Sequence, residues 1–242
     1  MIGHRTKICH PGYNGVYVDY DVPEIVMNQL EELLNDKNNY DSFNDYLYAD
    51  IEEQLEIPTE KLKKKTKIYE YIVSSSFDLY ISNLNNFFSF QENIEYVPEI
   101  SKSWFVIQKK NEYNPPHTHG SILDYQRATD ANGIIYFRDW DSEQELLMQK
   151  NKKQIFRQNL IENTIEEDKN YSTENGCLNV FLNNKSYRFP PKKGFSIIMN
   201  GDTLHSVNPF YSDQIRYSFQ WNIEFFKIPS EIDIKKLTNL KK

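Results

Sequence analysis

Apolar residues recur at helical spacing through much of the first third of the chain. Asp21 can cap the first helix, with Pro23 in its first turn. The apolar positions of the three successive patterns are Val26, Leu30, Leu33 and Leu34; then Phe43, Leu47, Ile51 and Leu55; then, from near Thr59, Leu62, Ile68, Ile72, Val73 and Phe77. Each set lies on one face of a helix, so the spacing predicts helices that pack on a common partner.

The character of the chain changes near Tyr96, where short β-type runs separated by turn residues begin. The predicted strands cover residues 104–109, 133–138, 178–182, 195–199 and 215–226. The last strand alternates most clearly: its odd-numbered residues are apolar, and its even-numbered residues from Arg216 to Glu224 are polar. We expect the apolar face to pack and the polar face to meet either water or a site.

Several short strands at turn-punctuated spacing favour an antiparallel sandwich or barrel. With helices in front, the sequence predicts a mainly β protein: a double-stranded β-helix (jelly-roll, cupin-like) core plus an N-terminal helical layer. We expect one domain, with the helical layer in residues 1–95, the catalytic core in 96–227 and a tail in 228–242. The polar stretch 140–175 has weak periodicity and predicts a helix, an insertion or a lid.

Composition narrows the class of protein. The 242 residues are 39% hydrophobic, enough for a folded interior, and the net charge of −7 argues against nucleic-acid binding. Cys9 and Cys177 do not make a disulfide framework. No segment approaches a membrane span and no signal core is evident, so we expect a cytoplasmic protein. Abundant Asn, Lys, Ile and Tyr hint at an AT-rich genome, that of a bacterium or of a virus that infects one.

Three of the five histidines stand in a context that suits a metal ion. His117 and His119 are one residue apart, so an extended backbone puts both imidazoles on one side. His205 follows the strand predicted over 195–199, and only folding can bring it to that pair. Imidazole ligands suit Fe, Zn, Cu or Ni. The competing interpretation is that these are buried histidines satisfied within the core, because an H-x-H pattern alone is common.

Arg216 strengthens the functional interpretation. It lies on the polar face of the last predicted strand, with Ser218 beside it on that face. A buried arginine needs a partner; a carboxylate can accept two of its N–H groups, and a serine hydroxyl can supply another bond. A dicarboxylate cosubstrate could thus chelate the metal at one end and meet Arg216 at the other. The competing interpretation of Arg216 is an ordinary surface or sheet-edge charge.

These residues fall in two segments that resemble those of the 2-oxoglutarate/Fe(II)-dependent oxygenases. The chain looks in particular like a family of these enzymes whose members carry pHxHp followed by sGvyY, and later llHsVnP followed by RiSisFN. Here residues 116–123 read PHTHGSIL and residues 132–136 read NGIIY. Residues 204–209 read LHSVNP and residues 216–222 read RYSFQWN. The resemblance spans residues 104–222 and leaves the N-terminal helices unmatched.

The resemblance implies an Fe(II)- and 2-oxoglutarate-dependent dioxygenase, an oxidoreductase that hydroxylates a substrate with O2 and releases succinate and CO2. The implied substrate is a small molecule or a peptide; the lack of a membrane span and the acidic net charge argue against a membrane or nucleic-acid partner. Two tryptophans, Trp104 and Trp221, are interpreted as core residues. The candidate residues are His117, His119 and His205 for the metal, and Arg216, Ser218, Tyr136 and Gln108 for the cosubstrate.

The chain departs from the family pattern in two places. Residues 124–132 look like an insertion, and His119 occupies the position where the wider superfamily keeps a carboxylate. A three-histidine site, a site completed by a carboxylate such as Asp124, and a site held mainly by His117 and His205 all stay open. Asp124 also gives the cupin-like spacing H-x-H-x4-D, so one alternative is a cupin-type metalloenzyme without 2-oxoglutarate. The other is a non-catalytic jelly-roll module with a structural or sugar-binding role.

Overall fold

In the residues that it describes, the computed structural model has two antiparallel sheets, three α-helices and a short 3-10 helix at Lys37–Asn39. The described residues are 5–9, 15–42, 50–87, 96–119, 129–138, 176–182, 185–210 and 213–227. The helices within them are α1 (Glu24–Leu34), α2 (Thr59–Lys64) and α3 (Thr66–Phe87). The strands are β1 (Arg5–Cys9), β2 (Gly15–Asp19), β3 (Asp41–Ser42), β4 (Glu53–Glu56), β5 (Tyr96–Gln108), β6 (Asn114–His117), β7 (Ala131–Tyr136), β8 (Leu178–Leu182), β9 (Lys185–Phe189), β10 (Phe195–Asn200), β11 (His205–Val207) and β12 (Arg216–Lys227).

The two sheets pack face to face. The larger has the strand order β1-β2-β10-β7-β12-β5-β4-β3, and the smaller has the order β6-β11-β8-β9. Side chains from both sheets share one apolar cluster, in which Ile134 and Ile197 of the larger sheet meet Leu178 and Val180 of the smaller. This arrangement confirms the predicted jelly-roll.

The strongest sequence pattern gives the central strand of the larger sheet. Every predicted strand is present, and β12 is paired with β5 on one side and β7 on the other. On its apolar face Phe219, Trp221 and Ile223 are fully buried. The first half of the polar face is buried as well: Arg216 and Ser218 lie inside the sandwich, whereas Asn222 and Glu224 further along are half-buried.

Helices α1 and α3 cover the outer face of the larger sheet. α3 contacts four of its strands, and the indole Nε1 of Trp221 donates to Ser76 Oγ at 3.1 Å. Gly133 lies opposite Trp221 in the neighbouring strand, and a Cβ placed there would stand 2.0 Å from Trp221 Cζ2. Glycine is therefore required at position 133, because any side chain would enter the space that the indole fills.

Two details of the predicted helices are wrong. α1 begins at Glu24 with Pro23 in the cap position, whereas the backbone N–H of Asp21 donates to Asp19 Oδ1. The second apolar pattern gives no helix where it is described: Ile51 lies in irregular backbone and Leu55 in β4. A spacing of four suits a strand as well as a helix, because four is a multiple of the strand period. The other members of that pattern, Phe43 and Leu47, lie outside the described residues.

The predicted N-terminal helical layer is present as α1, α2 and α3, but the described residues among the first 95 also contribute four strands. β1, β2, β3 and β4 all belong to the larger sheet, and Val16 and Val18 of β2 are buried between the sheets. These strands are short edge or near-edge segments, so few alternating residues mark them in the sequence. The third apolar pattern is confirmed, as α2 and α3. Within the described residues, no helix is long and apolar enough to span a membrane. The stretches 140–175 and 228–242 lie outside those residues.

Candidate metal centre

Three histidines meet beside the smaller sheet. His117 ends β6 and pairs directly with His205, the first residue of β11. His119 follows β6, and its backbone N–H donates to the carbonyl of Gly201 at 2.7 Å. The ring centroids lie 4.3 Å apart for His117 and His205, 5.1 Å for His119 and His205, and 5.3 Å for His117 and His119. One ring nitrogen of each lies within 4.8 Å of the others, so the three side chains can share one metal ion.

The Nδ1 atom of each imidazole has an oxygen partner. Those of His117 and His205 lie 2.7 and 2.8 Å from the main-chain carbonyls of Pro115 and Thr203. That of His119 lies 2.7 Å from Asn222 Oδ1. Because these oxygens only accept, each Nδ1 carries the hydrogen and each Nε2 keeps a lone pair for a ligand bond. This pattern is the usual support of metal-binding histidines.

Burial keeps the three imidazoles neutral. It lowers the pKa of His117, lowers that of His119 to about 4, and lowers that of His205 well below its ordinary value. Repulsion from His117 further lowers the pKa of His119, and repulsion from His119 that of His205. The Nε2 atom of His119 is buried and has no hydrogen-bond partner among the described residues. Neutral imidazoles with free lone pairs suit a divalent transition metal.

No carboxylate joins the three histidines within the described part of the chain. Asp124, the candidate carboxylate ligand, lies outside that part, as do His4 and His10. The described donor set is thus three neutral nitrogens. Such a set leaves the full charge of a bound divalent ion uncompensated by protein.

Arg216 is buried on the inner face of β12, with 2% of its surface exposed. One terminal nitrogen donates to the carbonyl of Gly176 at 2.7 Å, and Cζ lies 5.3 Å from the centre of the Tyr136 ring. No described residue offers it a carboxylate, and its Nε has no hydrogen-bond partner among them. Gly176 has φ +60, and a Cβ there would stand 2.8 Å from the Phe210 ring, so a glycine is needed to present this carbonyl.

The other cosubstrate candidates surround Arg216. Gln108 pairs with Arg216 across β5 and β12, and Tyr136 pairs with Ser218 across β7 and β12. The Tyr136 hydroxyl and Ser218 Oγ are buried without a hydrogen-bond partner among the described residues. Burial raises the pKa of Tyr136, so its hydroxyl remains a donor, although the charge of Arg216 acts in the opposite direction. Buried polar groups are rarely left unpaired, so this cluster fits an anionic ligand with several oxygens.

Gln108 suits that ligand less well. Its Nε2 donates to the carbonyl of Glu112, and its free atom, Oε1, is an acceptor. An acceptor does not bind a carboxylate. Gln108 therefore lines the polar cluster, whereas Arg216, Ser218 and Tyr136 supply the donors.

Two residues at the metal centre were not predicted from the sequence to belong to the site. Asn222 holds His119, and the Trp104 ring stacks on His119 with centroids 5.9 Å apart and an interplanar angle of 19°. Trp104 is buried, as predicted, and in addition its ring packs against a candidate metal ligand. The signal for Asn222 was present: it shares the polar stripe of β12 with Arg216 and Ser218.

No family model and no curated protein matches this chain. Among solved structures, it is similar to a prolyl hydroxylase of Trichoplax adhaerens in complex with a hypoxia-inducible-factor peptide fragment. That match has a TM-score of 0.51 and 12% identity over 86% of this chain and 82% of the other. A Pseudomonas putida prolyl-4-hydroxylase aligns at 0.49, with 13% identity over 86% and 91% of the two chains. The first likeness shows that this chain shares the fold of a prolyl hydroxylase.

Proposed function

We propose that this protein is an Fe(II)- and 2-oxoglutarate-dependent oxygenase that hydroxylates a substrate and releases succinate and CO2. One observation carries the proposal. The interior of the sandwich contains three neutral histidines and also a buried arginine, and no described carboxylate forms an ion pair with that arginine. A metal centre alone would fit many enzymes. A metal centre that shares its interior with a buried cation lacking a carboxylate partner fits an enzyme whose second ligand is an anion.

His117, His119 and His205 would hold the Fe(II), in keeping with their Nε2 lone pairs. Three protein ligands leave coordination positions open for other ligands. Fe(II) with 2-oxoglutarate supplies, when bound, the oxidising power that converts a substrate C–H bond to C–OH with O2. The protein supplies the position of the ligands and the environment around them.

Arg216 would bind the far carboxylate of 2-oxoglutarate through two N–H groups. The hydroxyls of Ser218 and Tyr136 would donate to the same carboxylate, which accounts for both being buried without partners among the described residues. Arg216, Ser218 and Tyr136 are all buried, so water has little access to this region. In that setting a charge-assisted hydrogen bond gains strength, because the local dielectric constant is low.

The substrate belongs to a class that a small cavity or groove can admit, a peptide or a small molecule. The Trichoplax adhaerens structure contains a peptide, which favours a peptide. The net charge of −7 disfavours nucleic acid. The segment 120–128, which follows His119 and could border the substrate, lies outside the described residues.

Two measurements test the proposed reaction. Under anaerobic conditions, Fe(II) with 2-oxoglutarate should give a weak visible charge-transfer band, and in air the same mixture should form succinate. Metal binding without any effect of 2-oxoglutarate would instead favour a cupin-type metalloenzyme. Purified protein that takes up no metal would leave only a non-catalytic jelly-roll module.

Histidine variants test the ligand set. His117→Ala, His119→Ala and His205→Ala should each weaken Co(II) binding by at least an order of magnitude, since each removes one of three ligands. Variants of the two remaining histidines, His4→Ala and His10→Ala, are matched controls and should bind Co(II) like the unmodified protein. If His119→Ala binds as tightly as the controls, the ligand set is not three histidines.

A further inference from the structure

The three candidate ligands differ in what orients them. The Nδ1 atoms of His117 and His205 each donate to a main-chain carbonyl two residues earlier, Pro115 and Thr203. These supports are built into the local backbone. His119 instead donates to a side chain 103 residues away in the sequence, that of Asn222 on β12.

We propose that Asn222 is a positioning residue of the metal centre, which fixes the ring orientation and tautomer of His119. Its Oδ1 accepts the Nδ1–H of His119 at 2.7 Å, so that Nε2 bears the lone pair. The inference rests on the proposed metal site. It concerns the position where the wider superfamily, which this sequence resembles, keeps a carboxylate.

The other contacts of His119 do not fix its ring. The bond from its backbone N–H to Gly201 leaves the side-chain torsions free. The stack on Trp104 defines the plane of the ring, with 19° between the two planes. A half-turn of the imidazole about χ2 keeps that plane, yet it exchanges the sides on which the nitrogens lie. Among the described residues, only the hydrogen bond to Asn222 distinguishes the two orientations.

The chemistry of the amide also matters. An asparagine oxygen accepts the hydrogen bond without adding charge, whereas a carboxylate would make the imidazole a more basic ligand. Asn222 thus keeps His119 a neutral ligand in a site whose described donors are all neutral. An aspartate of similar size would preserve the acceptor and add a negative charge, so the two roles can be separated.

The test compares Asn222→Ala and Asn222→Asp in metal-free and Co(II)-loaded protein. Nitrogen-15 NMR of the metal-free protein reports which nitrogen of each histidine carries the hydrogen. In Asn222→Ala we expect His119 to lose the Nδ1–H signature and Co(II) affinity to fall by about 10- to 100-fold. Asn222→Asp should restore both. Ser101→Ala is the matched control, because Ser101 Oγ donates only to the main-chain carbonyl of Asn222.

An Asn222→Ala protein that keeps the His119 tautomer and Co(II) affinity of the control would overturn the inference. So would a loss of affinity that Asn222→Asp fails to restore, since that would indicate packing. If the alanine variant does not fold, Asn222→Val, which suits a strand, takes its place. Unmodified protein that binds no Co(II) would refute the proposed function, whereas the tautomer comparison in metal-free protein would still decide the role of Asn222.

Discussion

Replacing Arg216 by methionine should separate stability from ligand binding. The guanidinium is buried, and no described carboxylate compensates its charge. Burial accordingly lowers the pKa of Arg216. Methionine has a similar length and no charge, so it can fill the same space. If Arg216 is retained to bind a ligand and its burial destabilises the ligand-free protein, the protein should fold without it.

The expected change in the free energy of unfolding follows from two opposed effects. Removing the guanidinium takes a donor from the carbonyl of Gly176, now 2.7 Å away, at a cost of about 1–3 kcal/mol. Replacing buried ionic groups by apolar ones of similar volume is neutral or stabilising by about 1–4 kcal/mol. For protein free of metal and 2-oxoglutarate, the two effects together give a change between a loss of ~3 kcal/mol and a gain of ~3 kcal/mol.

Binding should respond in the opposite direction. Truncating one member of a buried charge pair costs about 2–5 kcal/mol, which raises the dissociation constant of 2-oxoglutarate by tens to thousands of times. Urea unfolding of the metal-free protein measures the change in stability, and urea unfolding in Co(II) with and without 2-oxoglutarate measures the change in binding. The unmodified protein should gain stability from the ligand by mass action, and Arg216→Met should lose most of that gain while still binding Co(II).

Arg138 provides the matched control. It forms an ion pair with Glu31 and is only half-buried. Arg138→Met should leave the effect of 2-oxoglutarate unchanged. A loss above ~3 kcal/mol in ligand-free Arg216→Met would show that the guanidinium supports the fold beyond its bond to Gly176. An undiminished effect of 2-oxoglutarate in that variant would remove Arg216 from the cosubstrate site.

Two further predictions concern packing and pH. Gly133→Ala should lower the free energy of unfolding by about 1–3 kcal/mol in urea, because its Cβ would stand 2.0 Å from Trp221 Cζ2, and an unchanged midpoint would contradict the packing described. In metal-free protein the pKa of His119 is about 4 against an ordinary 6.5, so the unfolded state binds more protons between these values and stability falls as the pH falls through that window. This histidine alone accounts for up to ~3 kcal/mol of the free energy of unfolding that is lost between pH 7 and pH 4. The loss should be smaller by that amount in His119→Asn. Identical losses in the variant and the unmodified protein would contradict the lowered pKa.

The sequence predicts the parts of the fold that have one dominant period. β12 is the clearest case, because its alternation extends over most of a central strand. Prediction from the sequence fails where the spacing suits both a helix and a strand, as at Ile51 and Leu55. It also fails where a strand is too short to show any period, as in β3. Strand pairing compensates for weak local preference in those segments, and pairing partners cannot be identified from a local pattern.

The candidate site divides in the same way. The three histidines and Arg216 are prominent in the sequence because their residue types are scarce or costly to bury, and the structure brings the histidines together. The contact between His119 and Asn222 depends on how β12 aligns with the segment after β6, 103 residues away. Such a long-range alignment becomes visible only once the sheet is assembled.

β12 connects the two halves of the proposed site. Its inward residues Arg216 and Ser218 belong to the cosubstrate region, and Asn222 on the same face holds a candidate metal ligand. Its outward residue Trp221 is anchored in the helical layer by Ser76. Because successive residues of a strand point to opposite faces, a shift of β12 would displace all of these side chains together. Removing the hydrogen bond between Trp221 and Ser76 should therefore weaken the binding of both Co(II) and 2-oxoglutarate. Arg216→Met, by contrast, should weaken only the binding of 2-oxoglutarate.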